Sequence, residues 1–322
     1  MNVDRILSAS PWIEVFVKNL YWRSSLVHKF LAPRARNHAK PANARVAGVE
    51  YLSFDRIIDQ LRTFGVQEGD IAIVHSSGSA LKSTGLSPAE ICERLLKFLG
   101  PEGTLALPAI PLLREEPTGL GRLTDAICTK RLVYDVRRTP PWTGAIPKAL
   151  LAMSGTIRSR HPLNTMAAVG PHAAPMMKAN IDGDRPTACG PRSSWKYCAD
   201  HNAKIVCLGV DTAHSLTMIH VAEDSWAERW PIANWYRDRL FHVQDGEFEV
   251  DLTVRERRPH WAMYYGERTL QKELIGHGIL KVANVDGLRI ESCESTALVE
   301  FLNARKAKAY PYWLPFWTRS AR

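Results

Sequence analysis

The strongest constraint on the fold is an alternation of short apolar runs with amphipathic stretches in the first half of the chain. The segment "SFDRIIDQLRTFGV" combines a serine cap, apolar residues at helical spacing and a glycine stop, and it precedes the apolar run "DIAIVH". The same order returns in "SPAEICERLLKFLG", which predicts a capped helix, followed by the strand-like "TLALP". Strands that alternate with helices predict a mostly parallel sheet with helices packed on it.

Later segments add antiparallel strands to this pattern. "KIVCLGV" predicts one more buried strand, and "ESTALVEFLNARKAK" predicts a final helix. "FHVQDGEFEVDL" and "GILKVANVDGLRI" each place Asp-Gly between alternating residues, which is typical of a β-hairpin. The expected fold class is therefore α/β, with a mixed, mostly parallel central sheet, helices on both faces, and C-terminal β-hairpins.

Composition divides the chain into three predicted parts. Residues 1–47 join apolar and aromatic residues to lysines and arginines and predict an amphipathic, basic N-terminal extension. Residues 48–309 carry the regular pattern and form one predicted domain, and residues 310–322 form an aromatic and basic C-terminal tail. Aromatic residues beside basic ones suit the headgroup region of a membrane. Both ends are therefore predicted to meet a membrane surface, or else to pack on the domain or across a homodimer.

Charge narrows the classes of partner. The chain carries 42 Lys and Arg against 33 Asp and Glu, which gives a formal net charge of +9 at pH 7. Such an excess attracts anionic partners, for example nucleic acid, a membrane surface or a phosphorylated small molecule. Because no recognised nucleic-acid module accompanies the charge, we expect no nucleic-acid partner.

The cysteines and the apolar runs indicate where the protein works. Six cysteines are scattered without the spacing of a zinc site, which predicts reduced, mostly buried thiols and no metal. No signal peptide is visible, and no run approaches the roughly 20 apolar residues that a membrane span needs. The expected location is the cytoplasm, either free or peripheral at the inner face of the membrane.

A serine-rich loop follows the strand predicted for "DIAIVH". Ser76, Ser77 and Ser79 offer hydroxyl and backbone N–H groups, which suit phosphate or amide oxygens. The carboxyl end of a strand is also where α/β proteins bind ligands. The loop is therefore a candidate ligand site, and a simple serine-rich connector is the alternative.

A basic turn is the second candidate. In "YDVRRTPPWTGAIPKAL", Arg137 and Arg138 precede Thr139, and two prolines fix the turn. Paired arginines at a rigid turn suit bidentate phosphate contacts. A solvated basic turn is the alternative interpretation.

Two histidines are candidate general bases. In "GVDTAHSLTMIHVAED", a helix that begins near Ser215 would put His220 and Glu223 on one face, because residues three apart are neighbours on a helix. A carboxylate beside an imidazole fixes its tautomer and raises its basicity. The alternative is a surface pair with little energetic effect. His161, in "IRSRHPLNTMAAVGP", is the rival base.

Six motifs occur in a fixed order, which is more informative than any one of them. They are "VHSSGSAL", "LGPEGTLALP", "DVRRTPPWTGAIP", "RSRHPLNTMAAVGP", "GPRSSWKYC" and "VCLGVDTAHSLTMIHVAE". Together they resemble the aminoglycoside 3-N-acetyltransferase family, whose members use acetyl-CoA to acylate an amino group on a sugar. The resemblance is dense from about Phe54 to Glu223 and continues loosely to about Arg305.

The resemblance implies an enzyme, with residues 48–309 as its acyltransferase domain. It implies that His220 removes a proton from the attacking amine, that Glu223 orients His220, and that His161 and Asp211 lie near the acceptor. The implied CoA contacts are Ser76, Ser77, Ser79, Arg137, Arg138 and Thr139. The expected reaction is direct transfer from acetyl-CoA or another acyl-CoA, without a metal or an acyl-enzyme. Which histidine is the base stays open between His220 and His161.

The acceptor is expected to differ from an antibiotic. The segment "PLLREEPTGLGRLTDAICTKRLV" is unlike the usual acceptor region of the family. Aminoglycosides are cationic, and a basic enzyme attracts cations poorly. We therefore expect a small-molecule amino sugar, nucleotide-linked or lipid-linked, in polysaccharide or natural-product biosynthesis. The alternative function is a catalytically weak CoA-binding homologue that acts as a membrane-surface or scaffold protein.

Overall fold

Residues 7–23, 51–117 and 119–315 are described by the structure, a computed structural model. The strands are β1 (Ile71–Ser76), β2 (Thr104–Pro108), β3 (Arg131–Asp135), β4 (Ile157–Arg158), β5 (Met166–Val169), β6 (Lys204–Leu208), β7 (Tyr236–Asp245), β8 (Phe248–Arg257), β9 (Lys281–Val285) and β10 (Leu288–Glu294). The α-helices are α1 (Pro11–Arg23), α2 (Phe54–Thr63), α3 (Gly78–Leu81), α4 (Pro88–Leu99), α5 (Ala145–Leu151), α6 (Ala173–Met177), α7 (Ser194–Asp200), α8 (His220–Asp224), α9 (Glu267–Gly276) and α10 (Ser295–Asn303).

The central sheet is mixed. In the described residues its strand order is β4-β5-β2-β1-β6-β10-β9. β1 pairs in parallel with β2 and β6, and each remaining pairing in the sheet is antiparallel. The predicted α/β fold with a mixed sheet is confirmed, and parallel pairing is confined to the three inner strands.

Side chains on β1 alternate between two buried clusters, one on each face of the sheet. Ile71 and Ile73 belong to one cluster, whereas Ala72 and Val74 belong to the other. Every residue of β2 is buried, so "TLALP" shows no alternation of apolar and polar residues. Burial on both sides requires cover on both sides, and the predicted helices on both faces are confirmed.

Both predicted hairpins form. In the β7–β8 hairpin, Asp245 lies opposite Phe248, and in the β9–β10 hairpin, Val285 lies opposite Leu288. The two turn residues of the second hairpin, Asp286 and Gly287, have φ values of 49° and 87°. A type I′ turn requires positive φ at both central positions, which is why Asp-Gly stands there.

A second, three-stranded sheet is a feature that the sequence did not reveal. Its order is β3-β7-β8, and β3 runs parallel to β7. The buried guanidinium of Arg239 bonds to Glu116 at 2.8 Å and to Glu256 at 3.0 Å. Arg237 donates to the backbone carbonyl of Thr124 at 2.7 Å. These arginines hold the segment that departs from the family pattern against the second sheet.

The described parts of both termini pack on the domain. Glu14 of α1 is fully buried and accepts hydrogen bonds from the backbone N–H and the guanidinium of Arg268. The rings of Trp12 and Trp313 meet edge to face, with centres 5.8 Å apart. Packing on the domain, one of the predicted alternatives, therefore holds for these residues. Residues 1–6, 24–47 and 316–322 lie outside the described ranges, and the domain boundaries stay predictions.

One face of α1 is apolar and exposed. Its large exposed side chains are those of Trp12, Ile13, Phe16, Val17 and Leu20. Their spacing follows the helical repeat, so they form a continuous stripe, called here the α1 stripe. Among the described residues, no helix has the length and the apolar character to cross a membrane.

Candidate active site

Three connections meet at one edge of the central sheet. After β1, the N–H of Ser77 donates to the carbonyl of Leu208 at the end of β6, at 3.0 Å. The Thr143 hydroxyl donates to the carbonyl of Pro108 at the end of β2, at 2.7 Å. Since β1, β2 and β6 run in parallel, their carboxyl ends share one edge, where α/β proteins bind ligands.

The serine loop is compact. Ser77 Oγ lies 2.9 Å from Ser79 Oγ and accepts a hydrogen bond from the N–H of Ala80 at 3.3 Å. Ser76 and Ser77 are half-buried, whereas Ser79 is exposed. At Gly209, whose φ is 69°, an added Cβ would lie only 2.4 Å from the Cβ of Ala80. Glycine therefore allows the loop after β6 to approach the serine loop closely.

The basic turn is held by Asp135. Its Oδ1 accepts the N–H groups of Arg137 and Arg138, both at 2.9 Å. The backbone N–H of Asp135 donates to Thr139 Oγ1 at 3.1 Å, and the N–H of Thr139 returns a bond to the carbonyl of Asp135 at 2.9 Å. The side chain of Asp135 thus accepts hydrogen bonds from the backbone N–H groups of its own turn, which makes the turn rigid.

The two arginines of the turn differ in their exposure and in their ion pairs. Arg137 Nε donates to Asp245 Oδ1 at 2.8 Å. The Arg138 side chain is 90% exposed and lies 3.9 Å from the carboxylate of Asp135. From inside, the buried guanidinium of Arg158 donates to the carbonyl of Thr139. The turn is thus fixed on both sides, and Arg138 is its more exposed cation.

Helix α8 carries the predicted histidine–glutamate pair. His220 Nδ1 lies 2.9 Å from Glu223 Oε2, as three-residue spacing on a helix predicts. The side chain of Glu223 is 2% exposed and that of His220 is 17% exposed. The other carboxylate oxygen, Oε1, accepts a hydrogen bond from the hydroxyl of Tyr312 at 2.6 Å. The pair combines a buried carboxylate with an imidazole that reaches the surface.

Electrostatics keep the carboxylate of this pair ionised. Burial acts to raise the pKa of Glu223, but His220, Arg257 and the hydrogen bond from Tyr312 outweigh it and hold the pKa below its ordinary value. An ionised carboxylate beside Nδ1 favours the tautomer that carries its proton there. Nε2 of His220 is then the proton acceptor, which is the state a general base requires.

The rival histidine, His161, lies in a different environment. It is 2% exposed, its Nδ1 accepts the N–H of Leu163 at 3.2 Å, and its Nε2 donates to the carbonyl of Pro186 at 3.3 Å. Burial lowers the pKa of His161. Its ring therefore bridges two backbone segments. Asp211, on the loop after β6, accepts the N–H of His214 at 3.0 Å, and its carboxylate is also 2.6 Å from that ring.

A cavity of about 400 Å³ is lined by Asp224 of α8, whereas His220 and Glu223 are not among its lining residues. The segments 180–193 and 224–229 line it together with Arg255. Asp224, the residue after Glu223, forms part of its wall and accepts hydrogen bonds from the N–H of Cys189 and the hydroxyl of Tyr236. Burial, with the charge of Glu223, raises the pKa of Asp224 to about 6. Asp224 lies four residues after His220, a spacing that makes the two residues neighbours on a helix, and this spacing was the sequence signal for Asp224.

A family model described as aminoglycoside 3-N-acetyltransferase matches residues 73–306. The chain belongs to the aminoglycoside 3-N-acetyltransferase family. The family that the six motifs indicate is therefore confirmed, and the matched range contains the serine loop, the basic turn and the His220–Glu223 pair.

Curated members of the family share part of their length with the chain. Aminoglycoside N(3)-acetyltransferase IX of Micromonospora chalcea is 31% identical over 176 residues, covering 52% of the chain and 60% of that relative. Aminoglycoside N(3)-acetyltransferase VIII of Streptomyces fradiae is 29% identical over 177 residues, covering 52% and 59%. The chain thus spans less than two thirds of either relative.

Solved structures of the family share the fold. AAC-VIa bound to sisomicin matches with a TM-score of 0.63 and 21% identity, covering 80% of the chain and 100% of that protein. AAC-IIIb in a binary complex with CoASH also matches with a TM-score of 0.63, at 19% identity, covering 83% and 100%. These likenesses establish the aminoglycoside 3-N-acetyltransferase fold for this chain.

Proposed function

We propose that this protein transfers an acetyl or other short acyl group from acyl-CoA to an amino group of an amino sugar. The observation that carries the proposal is the 2.9 Å contact between His220 Nδ1 and the buried carboxylate of Glu223. Two further facts support it: the chain belongs to a family of N-acetyltransferases, and AAC-IIIb, which has the same fold, was solved with CoASH.

His220 has the central role in the proposed reaction. An ammonium group is not nucleophilic, so the acceptor amine must lose a proton before it attacks. His220 Nε2 takes that proton while Glu223 stabilises the imidazolium. The amine nitrogen then forms a bond to the thioester carbon, the C–S bond breaks, and the nitrogen loses a second proton, which balances the one that the departing thiolate takes up. Asp211 and His161 stay predicted neighbours of the acceptor.

The buried thiols support direct transfer. An acyl-cysteine intermediate would need a reactive thiolate, but burial raises the pKa values of Cys92, Cys198 and Cys293 to about 12. These thiols stay protonated near neutral pH and are poor nucleophiles. Transfer from the thioester to the amine without a cysteine intermediate is the simpler route.

The CoA site proposed here consists of the serine loop and the basic turn. Hydroxyl and N–H groups near Ser77 and the exposed guanidinium of Arg138 suit the phosphate and amide oxygens of CoA. The serine loop follows β1, and Arg158 donates both to the carbonyl of Thr139 in the turn and to that of Ala109, the residue after β2. The rigid backbone of the turn holds Arg138 in place without using its side chain.

The cavity lined by Asp224, the residue that follows Glu223 on α8, is the proposed acceptor site. Within the described residues, Arg192 and Arg229 in its lining have no carboxylate partner, whereas Arg255 pairs with Glu228. Guanidinium groups left without carboxylates attract phosphate. The same lining holds Asp182, Asp184 and Asp224, whose carboxylates suit an ammonium group, so an amino sugar linked to a phosphate, as in nucleotide-linked and lipid-linked sugars, matches both signs of charge. A biosynthetic role follows from that choice.

A thiol-release assay with acetyl-CoA tests the proposal. We expect the highest kcat/KM with a nucleoside diphosphate-linked amino sugar, a lower value with free glucosamine, and the lowest with sisomicin. The N-acetylated forms of the same sugars are the controls and should give no release. If the protein binds CoA but releases no thiol with any amine, the scaffold alternative is correct.

The same assay examines the CoA site. Arg138→Ala should raise the KM for acetyl-CoA by about threefold to tenfold, since it removes one exposed charge-assisted contact. Arg131→Ala, which removes another exposed arginine, from the far end of β3, is the control. Equal KM values for the two variants would remove Arg138 from the site.

An anionic membrane surface is the proposed partner of the α1 stripe. The stripe is apolar and aromatic, and the sequence that follows it has five lysines and arginines and no acidic residue between Lys29 and Arg45. This combination suits an interfacial helix on anionic lipid. The enzyme would then lie at the inner face of the membrane.

Flotation with vesicles of phosphatidylserine and phosphatidylcholine measures this contact. The variant Phe16→Ser/Leu20→Ser should reduce recovery in the lipid fraction roughly tenfold or more, because two large apolar side chains lose their burial in lipid. Val133→Ser, an exposed apolar position on the second sheet, is the control. Equal recovery of all three proteins would contradict the proposal, and a change in sedimentation would show that the stripe joins two copies.

A further inference from the structure

The C-terminal segment reaches the candidate base. Glu223 uses both carboxylate oxygens: Oε2 contacts His220 Nδ1 at 2.9 Å, and Oε1 accepts the hydroxyl of Tyr312 at 2.6 Å. Tyr312 is 5% exposed and Glu223 is 2% exposed, so water competes little for either hydrogen bond. The three side chains form a continuous chain from the end of the polypeptide to the imidazole.

A neighbouring guanidinium fixes the direction of this chain. Arg257 donates a hydrogen bond to the hydroxyl oxygen of Tyr312. Arginine can only donate, so the hydroxyl accepts from Arg257 and uses its single proton for Glu223. Burial raises the pKa of Tyr312 far above its ordinary value, and the hydroxyl therefore keeps that proton. Both hydrogen bonds are therefore donated toward the carboxylate: Arg257 donates to Tyr312, and Tyr312 donates to Glu223.

The backbone around Tyr312 is tied to the domain. An antiparallel bridge joins Tyr312 to Tyr265, and the N–H of Trp313 donates to the carbonyl of Tyr264 at 2.8 Å. The ring of Tyr312 packs against Trp235 at 4.8 Å between centres. On the outer side Trp313 meets Trp12 of α1. The tyrosine is thus placed by both termini and does not depend on a mobile side chain.

We propose that Tyr312 is a positioning residue for the general base and that the C-terminal segment is part of the active site. The inference rests on the proposed function of His220. Tyr312 lies beyond residue 306, where the match to the family model ends. It fixes one oxygen of Glu223, so that the other oxygen meets His220 Nδ1 and directs Nε2 toward the acceptor amine.

The variant Tyr312→Phe tests the proposal because it removes only the hydroxyl. The buried carboxylate then lacks one hydrogen bond, and its negative charge is less well stabilised. We expect kcat to fall about tenfold and the acidic limb of the pH profile of kcat/KM to move to higher pH. Affinity for CoA should stay unchanged, since Tyr312 does not contact the proposed CoA site.

Tyr310→Phe is the matched control. Tyr310 lies on the same segment, and its hydroxyl donates to Glu273 at 3.0 Å instead of to Glu223. It should keep the kcat and the pH profile of the wild type. The double variant Glu223→Gln/Tyr312→Phe should be no slower than Glu223→Gln, because the tyrosine acts only through the carboxylate.

Three results separate a positioning role from other roles. A pH profile of Tyr312→Phe that coincides with that of Tyr310→Phe would overturn the proposal, as would full additivity in the double variant. NMR titration of the His220 ring gives a readout that needs no turnover. If the wild type shows no transferase activity, the proposed function fails, yet a titration curve that differs between Tyr312→Phe and Tyr310→Phe would still confirm the contact.

Discussion

Replacement of His220 by alanine should lower kcat about a hundredfold to ten-thousandfold, with CoA affinity nearly unchanged. This is the range that a general base contributes. His220 is the partly exposed member of the pair, and its Nδ1 is already engaged by Glu223 at 2.9 Å. The measurement is the single-turnover rate with acetyl-CoA and the best acceptor, together with calorimetry of CoA binding.

Two further variants decide between the candidate histidines. Glu223→Gln should cost less than His220→Ala, because it removes only the group that orients the ring. His161→Ala should reduce thermal stability, since the His161 ring links the N–H of Leu163 to the carbonyl of Pro186. If His220→Ala keeps near-full turnover while His161→Ala abolishes it in a folded protein, His161 is the base.

Between pH 7 and pH 4 the wild type should lose about 3 kcal/mol more free energy of unfolding than a His75→Phe variant. His75 is the penultimate residue of β1 and is buried beside Trp195, with ring centres 6.2 Å apart. Burial lowers the pKa of His75 from 6.5 to about 4. As pH falls below 6.5, the unfolded chain binds a proton that the folded chain refuses, so stability is lost as pH falls from 6.5 to 4.

Urea unfolding at pH 7 and pH 4 provides this measurement. Phenylalanine keeps an aromatic ring against Trp195 and removes the titratable group. His277→Gln, at an exposed position, controls for the loss of one histidine. The prediction is wrong if His75→Phe and His277→Gln lose the same free energy as the wild type between the two pH values.

Most of the fold was accessible from the sequence because its signals are local. The capping box of Ser87 and Glu90 forms at the start of α4, and the Asp286-Gly287 turn has the predicted left-handed backbone. The second sheet was not accessible. It depends on pairing β3 with β7, which are far apart in the chain, and on Arg239, a charged residue that is fully buried because two carboxylates meet it.

In the candidate site, too, local contacts were predictable from the sequence and long-range contacts were not. The pairing of His220 with Glu223 follows from helical spacing and was predictable. The contact of Glu223 with Tyr312 spans 89 residues, and no periodicity links the two. The sequence showed an aromatic, proline-rich tail, and aromatic residues near basic ones suited a membrane equally well. Only the packed structure distinguishes a buried tyrosine from an interfacial one.

Because the chain is synthesised from its N-terminus, the C-terminal segment reaches the candidate site after the rest of that site has been made. Glu223 emerges 89 residues before the tyrosine that satisfies its second oxygen. At ribosomal rates of about 5–20 residues per second, the interval is roughly 5 to 20 seconds. For most of that interval β10 is also missing, and the edge of β6 that later pairs with β10 is open. A nascent chain therefore exposes a sheet edge and an incompletely held carboxylate together; β10 covers the edge first, and Tyr312 then completes the hydrogen bonds of the carboxylate.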